Sequence, residues 1–309
     1  MQAPKKTGRA LIEEINACRP PNGHLAFWWL GQLGYAIKVG TAVFYVDAYL
    51  TPDENRCEPP PLRPEDVTNA DYIIASHDHL DHLDRRAWPA MAAASPNARF
   101  LVPALIAQKG HSVSREAAPG CAVQTLAQEL GLPEARILGL RAEETVTLAG
   151  TGANALRITA MDCAHEFLSR DKDTGLCPAM GVAVSGFGAR WYHTGDCCLF
   201  PGFAEKVGRC GPFNAVFLPI NGRDAVRLKQ GILGNITYQE AADLAAYLLG
   251  AGDPDLSCGR CSGAVCAVPG HYEMFDFNAV DPTLFVEYMR VKYPQIPVWT
   301  GAYGEKVML

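Results

Sequence analysis

The stretch DYIIASHDHLDHLD, residues 71–84, decides how the rest of this chain is read. Its first six residues are an apolar, β-branched and aromatic run of the kind that forms a strand. Its second half places His77, His79 and His82, three of the chain's eight histidines, within six residues, with Asp78 and Asp81 between them. A loop at a strand end can aim several side chains at one point, and neutral imidazole with carboxylate suits Zn, Mn or Fe. The plainer reading, a polar helix start with incidental histidines, leaves that clustering unexplained.

Upstream, the segments 26–30, 35–39 and 42–47 read as short strands, with Gly31, Gly34 and Gly40 at the turns. Residues 51–69 are rich in proline and polar groups and read as a surface loop, the kind that often borders a site. Downstream, helices are expected at about 84–95, 103–110 and 121–131. Strands follow at 144–149, 155–161, 180–186, 189–193 and 215–219. Thr237 and Glu240 have capping-box spacing ahead of the apolar run AADLAAYLL, which sets a helix start there. A last strand is expected at 264–270, and then a helix opened by Asp281 with Pro282 at its first position. Two half-sheets, each with outer helices, give a layered α/β architecture. The whole chain, 1–309, reads as one domain with an N-terminal extension over 1–23.

One loop cannot fill a metal's coordination shell, so further ligands are expected where later strands end. His165 follows ALRITAM, Asp196 follows ARWYHTG and His271 follows AVCAVPG, and together they could close two shells. Asp47 ends the strand AVFYVD, where it either braces the metal loop from behind or forms a turn. His193, two residues before Gly195-Asp196, either supports the ligands by hydrogen bonding or points into the core. Arg223, Arg227 and Lys229 cluster in NGRDAVRLKQG, read as a loop after the 215–219 strand, and could clamp an anionic substrate; ordinary surface charge is the commoner explanation. Phe27, Trp28 and Trp29 read as core.

The His-x-His-x-Asp-His pattern at positions 77, 79, 81 and 82, with the later ligands in order, resembles the metallo-β-lactamase superfamily. That resemblance implies an αββα four-layer fold of two mixed β-sheets flanked by helices. It further implies that His77, His79 and His165 bind one ion, that Asp81, His82 and His271 bind a second, and that Asp196 bridges them. Within the superfamily, the segments FWWLGQLGYAIKV, ASHDHLDHLD, ITAMDCAHE, WYHTGDC and PGHYEMFDFNAVDP, spread over residues 25–300, resemble the L-ascorbate-6-phosphate lactonase, or UlaG, family.

The activity so implied is hydrolysis of a small lactone or cyclic ester, with or without a phosphate group, by metal-bound hydroxide, with one or two Zn2+ or Mn2+ ions. A bound metal lowers the pKa of water from 15.7 to about 7, and Asp81 would orient the nucleophile and relay its proton. Dinuclear phosphodiester hydrolysis is the alternative, because the same ligands serve both chemistries. The Cys258-x-x-Cys261 pair, in an apparent insertion over 252–263, departs from the family pattern. A lone pair of this kind reads as reduced, exposed thiols more readily than as a structural zinc site.

The bulk properties bound the partners. With 49% hydrophobic and 19% charged residues and a formal net charge of −6, the chain lacks the basic footprint of a nucleic-acid binder. A small-molecule substrate is expected. The beginning of the chain shows no leader-like apolar core, and no run reaches the length of a membrane span. Eleven dispersed cysteines, an odd number, are not a disulfide framework and suit a reducing, cytoplasmic setting. Homo-oligomer formation through the helical C-terminal region is left open.

Overall fold

The structure, a computed structural model, describes residues 4–110, 124–250 and 264–309. The Cys258–Cys261 pair and its insertion, 252–263, lie outside the described residues, as does His111.

In chain order the elements are α1 (Gly8–Ala17), β1 (Leu25–Gly31), β2 (Gly34–Val39), β3 (Ala42–Val46), β4 (Tyr72–Ile74), α2 (Trp88–Ala94), β5 (Arg99–Pro103), α3 (Ala104–Lys109) and α4 (Leu126–Leu130). Next come β6 (Ile137–Leu140), β7 (Thr145–Ala149), β8 (Leu156–Asp162), β9 (Met180–Gly186), β10 (Ala189–His193), α5 (Phe203–Gly208) and β11 (Ala215–Pro219). The remainder is α6 (Ala225–Lys229), α7 (Tyr238–Leu248), β12 (Cys266–Gly270), α8 (Thr283–Lys292) and β13 (Lys306–Met308).

The strands make two mixed sheets, in the orders β13-β1-β2-β3-β4-β5-β6 and β12-β11-β10-β9-β8-β7. In the first, β3 to β6 run parallel and the rest antiparallel; in the second, β10, β11 and β12 run parallel. Strand β1 shows how the layers form. It is buried on both faces, and its side chains alternate between two cores. Phe27 and Trp29 join the core between the sheets, whereas Ala26, Trp28 and Leu30 join the one beneath α1 and α2. Phe27 meets Phe217 of the opposite sheet edge to face, with ring centroids 5.3 Å apart. Each such buried aromatic contributes roughly 1.5–3 kcal/mol by burial alone.

Helix α7 begins where its capping box places it. Thr237 Oγ1 accepts from the Glu240 amide, and Glu240 Oε2 accepts from the Thr237 amide at 2.8 Å. Its apolar stripe, including Ala241, Ala242, Leu244, Ala245 and Leu248, covers the second sheet. In α8, Asp281 accepts from the Thr283 amide as an N-cap would, with Pro282 half in the helix.

Several expectations are corrected. Strands β5, β6 and β13 do not stand out in the sequence, because short interior or edge strands carry too little alternation to register. Within the N-terminal extension, for which no element was expected, α1 buries Leu11, Ile12 and Ile15 against the first sheet. The helix expected from residue 84 starts at Trp88, with Pro89 in its first turn; Asp84 Oδ1 accepts from the Ala87 amide at 3.1 Å in the turn that precedes it. The segment around Arg227, read as loop, contains α6, capped by Asp224 through the amides of Val226 and Arg227. No helix among the described residues is long and apolar enough to cross a membrane.

Candidate metal centre

The parallel strands of both sheets deliver their C-terminal ends to one edge of the sandwich, the place where layered α/β proteins bind ligands. Asp47 follows β3, His77 follows β4, Asp196 follows β10 and His271 follows β12, while His165 arrives from β8. There the structure brings all seven expected side chains together in two groups. One ligand atom each from His77, His79, His165 and Asp196 lies within 4.8 Å of the others; Asp81, His82 and His271 form the second such group. Asp196 stands between them. Its Oδ2 is 3.1 Å from His271 Nε2 and 3.4 Å from His165 Nε2, and its Oδ1 is 3.4 Å from His82 Nε2.

Three of the imidazoles, those of His77, His82 and His165, are aimed by hydrogen bonds on Nδ1, which leave Nε2 facing the cluster. His82 Nδ1 lies 2.6 Å from Asp47 Oδ2, and both side chains are fully buried. His77 Nδ1 meets Ser76 Oγ at 3.0 Å, and Ser76 gives its own hydroxyl and amide protons to Asp47 at 2.6 and 2.7 Å. His165 Nδ1 donates to the Gly234 carbonyl at 3.2 Å. Asp47 therefore sits behind the motif loop and holds two of its residues, in a left-handed backbone conformation (φ 46°) that aspartate tolerates better than most residues.

His193 points away from the ions' expected place. Its Nε2 lies 2.8 Å from the Leu33 carbonyl, and Nδ1 accepts from the Gly195 amide at 3.1 Å, which fixes the tautomer. It thereby ties the turn carrying Asp196 to the first sheet. Gly195 itself has φ 61°, and a Cβ there would lie 2.7 Å from Ser76 Cβ.

The donor set fits divalent cations. His77 Nε2, His82 Nε2 and Asp196 Oδ1 are buried without a hydrogen-bond partner, a costly arrangement unless something satisfies them. Burial holds the His77 imidazole well below its ordinary pKa and pushes His165 down to about 4, so both are neutral donors at physiological pH. Burial also opposes charge on His82 and His271, but the carboxylates around them, Asp196 foremost, overcome it and lift both. A cation would take the place of those protons.

Three supporting residues escaped the sequence reading. Gln32, with φ 53° in the β1–β2 turn, donates from Nε2 to Asp81 Oδ2 at 2.8 Å, and its carbonyl accepts from the His271 amide at 2.9 Å. Asp84 accepts from the amides of Leu50 and Thr51 at 2.9 and 2.8 Å and from Thr51 Oγ1 at 2.6 Å, anchoring the far end of the motif loop. Gly234 holds His165. The only local signals were a fourth carboxylate in the opening stretch and a Gly-x-x-Gly turn.

The basic cluster lies elsewhere. Arg223 is taken up by Glu240 at 2.7 and 2.8 Å, and Arg227 by Asp224, Asn278 and the Asn221 carbonyl. Lys229 is exposed at the end of α6. None of the three lines the cleft of about 260 Å³ that opens over the metal-ligand candidates.

A family model for the β-lactamase superfamily domain matches residues 43–251, more than half of the chain. The chain belongs to that family. Among curated relatives of this β-lactamase superfamily member is a UPF0173 metal-dependent hydrolase of Archaeoglobus fulgidus, 26% identical over 280 residues that span 90% of this chain and 96% of that protein. An N-acyl-phosphatidylethanolamine-hydrolyzing phospholipase D of Caenorhabditis elegans is 28% identical over 177 residues, 53% of this chain and 42% of that one. Among solved structures, Igni18, a metallo hydrolase of Ignicoccus hospitalis, superposes with a TM-score of 0.62 at 17% identity, covering 93% of this chain and 98% of that one. At that identity the likeness is one of fold. Two mixed sheets flanked by helices make this a metallo-β-lactamase fold, as the motif resemblance implied.

Proposed function

We propose that this protein is a metal-dependent hydrolase that opens a lactone or similar small cyclic ester. The observation that carries the reading is the pair of adjacent ligand groups at the floor of an open cleft, with Asp196 of the first 3.1 Å from His271 of the second. In this reading His77, His79 and His165 would hold one ion and Asp81, His82 and His271 another, Zn2+ or Mn2+, with the Asp196 carboxylate available to both groups. When bound, such ions lower the pKa of water to about 7 and polarise the substrate oxygen.

The chain's own residues supply position and proton handling. Asp81, partly open to the cleft, is held by Gln32 so that one carboxylate oxygen is fixed; it orients the attacking water and accepts its proton. Asp47 and the Gly234 carbonyl keep His82 and His165 from rotating, which preserves the spacing of the two groups. Leu80 and Phe277 flank the opening and limit water at the reacting carbon.

The choice of lactone rests on the resemblance to the L-ascorbate-6-phosphate lactonase family. The second reading, phosphodiester hydrolysis, is favoured by the partial likeness to the phospholipase D, since paired metals serve in-line attack at phosphorus equally well. The deciding experiment is elemental analysis of protein purified without added metal, with lactone and phosphodiester panels assayed before and after chelation. Bound zinc or manganese with chelator-sensitive lactone opening is the expected result. Turnover of phosphodiesters alone moves the function to the second reading, and protein that neither binds metal nor responds to it removes both.

A further inference from the structure

The walls of the cleft carry information about the substrate beyond the reacting group. Above the metal-ligand candidates the cleft is built from Leu80, Ile232, Leu233, Phe275 and Phe277. Phe277 is 55% exposed and Leu80 45%, and they line one cleft together with Ile232, Leu233 and Phe275 rather than standing singly on the surface. Phe277 stacks on Phe275 with ring centroids 5.4 Å apart and planes 20° from parallel, so it presents a supported flat face. A smaller recess of about 90 Å³ continues past His79, His165 and Leu233 to Phe167, which is 59% exposed.

The charges of the same walls are one-sided. Apart from the metal-ligand candidates, Asp53 lines the cleft and Asp78 the recess, and no lysine or arginine among the described residues lines either. Arg227 stands behind Asn278, with its guanidinium committed to Asp224, Asn278 and Asn221. Arg86 approaches Asp53 only to 3.9 Å and bonds Tyr49 Oη. Recognition of a phosphate away from the reacting bond ordinarily uses a cationic fork or ammonium group. Away from the metal-ligand candidates such a phosphate would meet Asp53, the neutral amides of Asn55 and Asn278 and hydrocarbon, with a desolvation cost and no cationic partner to offset it.

We propose that the substrate is an uncharged lactone or ester bearing a flat apolar substituent, which lies against Phe277 and Phe167, rather than a phosphorylated one. This rests on the hydrolase reading above and narrows it. At about 260 Å³ the cleft falls just below the usual range for ligand pockets, roughly 300–1,000 Å³, which suits a small ligand such as a ring with one phenyl-sized group.

The test separates binding from turnover. Calorimetry on the protein as purified would compare a phenyl-substituted five-membered lactam, which resists hydrolysis, with the same lactam carrying a phosphomethyl group, while hydrolysis of the phenyl-substituted lactone is followed in parallel. The phenyl lactam is expected to bind about tenfold more tightly or better, and Phe277→Ala to weaken it about fivefold, the scale of one aromatic contact. Phe167→Ala serves as the second variant; both residues are exposed, so neither is needed for folding. Equal or tighter binding of the phosphomethyl lactam, or indifference to both variants, overturns the proposal. Tight, Phe277-dependent binding without lactone hydrolysis would keep the apolar preference and remove the lactonase reading; hydrolysis without the preference would do the reverse.

Discussion

His82 Nδ1 and Asp47 Oδ2 are 2.6 Å apart, in a place neither shares with solvent. The two residues are 35 positions apart in the chain, and their contact couples the end of β3 to the loop after β4. Asp47 also accepts both protons that Ser76 offers, so one carboxylate sets the aim of His82 directly and of His77 through Ser76. Asp47→Asn keeps the shape and tolerates the left-handed backbone, but it replaces a charged acceptor with a neutral amide. We expect metal affinity to fall by about 10–100-fold, the usual effect of losing a ligand's supporting partner. Titration against a competing chromophoric chelator would measure it; unchanged affinity would mean that the loop holds its own geometry.

Gly195 makes a sharper steric prediction. An added Cβ would lie 2.7 Å from Ser76 Cβ and 2.8 Å from the Met180 carbonyl, at a φ of 61° that side chains rarely adopt. Left-handed strain of roughly 1–2 kcal/mol and overpacking of roughly 1–3 kcal/mol act together. Gly195→Ala should therefore lower unfolding free energy by about 2–5 kcal/mol and weaken metal binding at the same time, since Ser76 is the residue displaced. Urea denaturation gives the first quantity and metal titration the second. A stable variant with normal metal content would show that the turn can open at little cost.

Much of this was legible because the signal was local. His77, His79, Asp81 and His82 lie in one short loop after an apolar strand, and His165, Asp196 and His271 each stand where a readable strand ends. Gln32 and Gly234 were not legible, because their partners Asp81 and His165 are 49 and 69 residues away and nothing in their own neighbourhood encodes the pairing. The partners of the basic cluster were not legible for the same reason. Arg223 looks free in sequence, but α7 brings Glu240 to it from 17 positions on. Helix α1 does carry helical spacing in Leu11, Ile12 and Ile15, although it was not read from the sequence.

Metal removal should be visible in stability as well as in activity. The buried nitrogens of His77 and His82 and the Asp196 oxygen have no protein partner, so ions that bind the folded chain stabilise it by mass action. At a free metal concentration about a hundredfold above Kd, that contribution is about 2.7 kcal/mol for one site. Chelation is expected to lower Tm by several degrees, and added zinc or manganese to restore it in a concentration-dependent way. A Tm indifferent to both treatments would be incompatible with ions held at this centre.

A pH prediction arises well away from the centre, at Asp171. Lys109 Nζ lies 2.5 Å from Asp171 Oδ2, and Thr174 donates to Oδ1 from its hydroxyl at 2.8 Å and its amide at 2.9 Å. The Lys109 hydrogen bond, with those from Thr174, holds the carboxyl well below the usual carboxylate range. Because the folded pKa is the lower one, the unfolded chain binds more protons between the two values, and stability rises with pH across that window. The contribution is complete above the unfolded aspartate value of about 3.9 and is lost as pH falls through the depressed one. Asp171→Asn should therefore lower the urea midpoint at pH 7 and at pH 5 by the same amount, with the gap to the natural sequence narrowing below about pH 4. A gap that stayed constant to pH 2 would assign the effect to packing rather than to the ionised carboxylate.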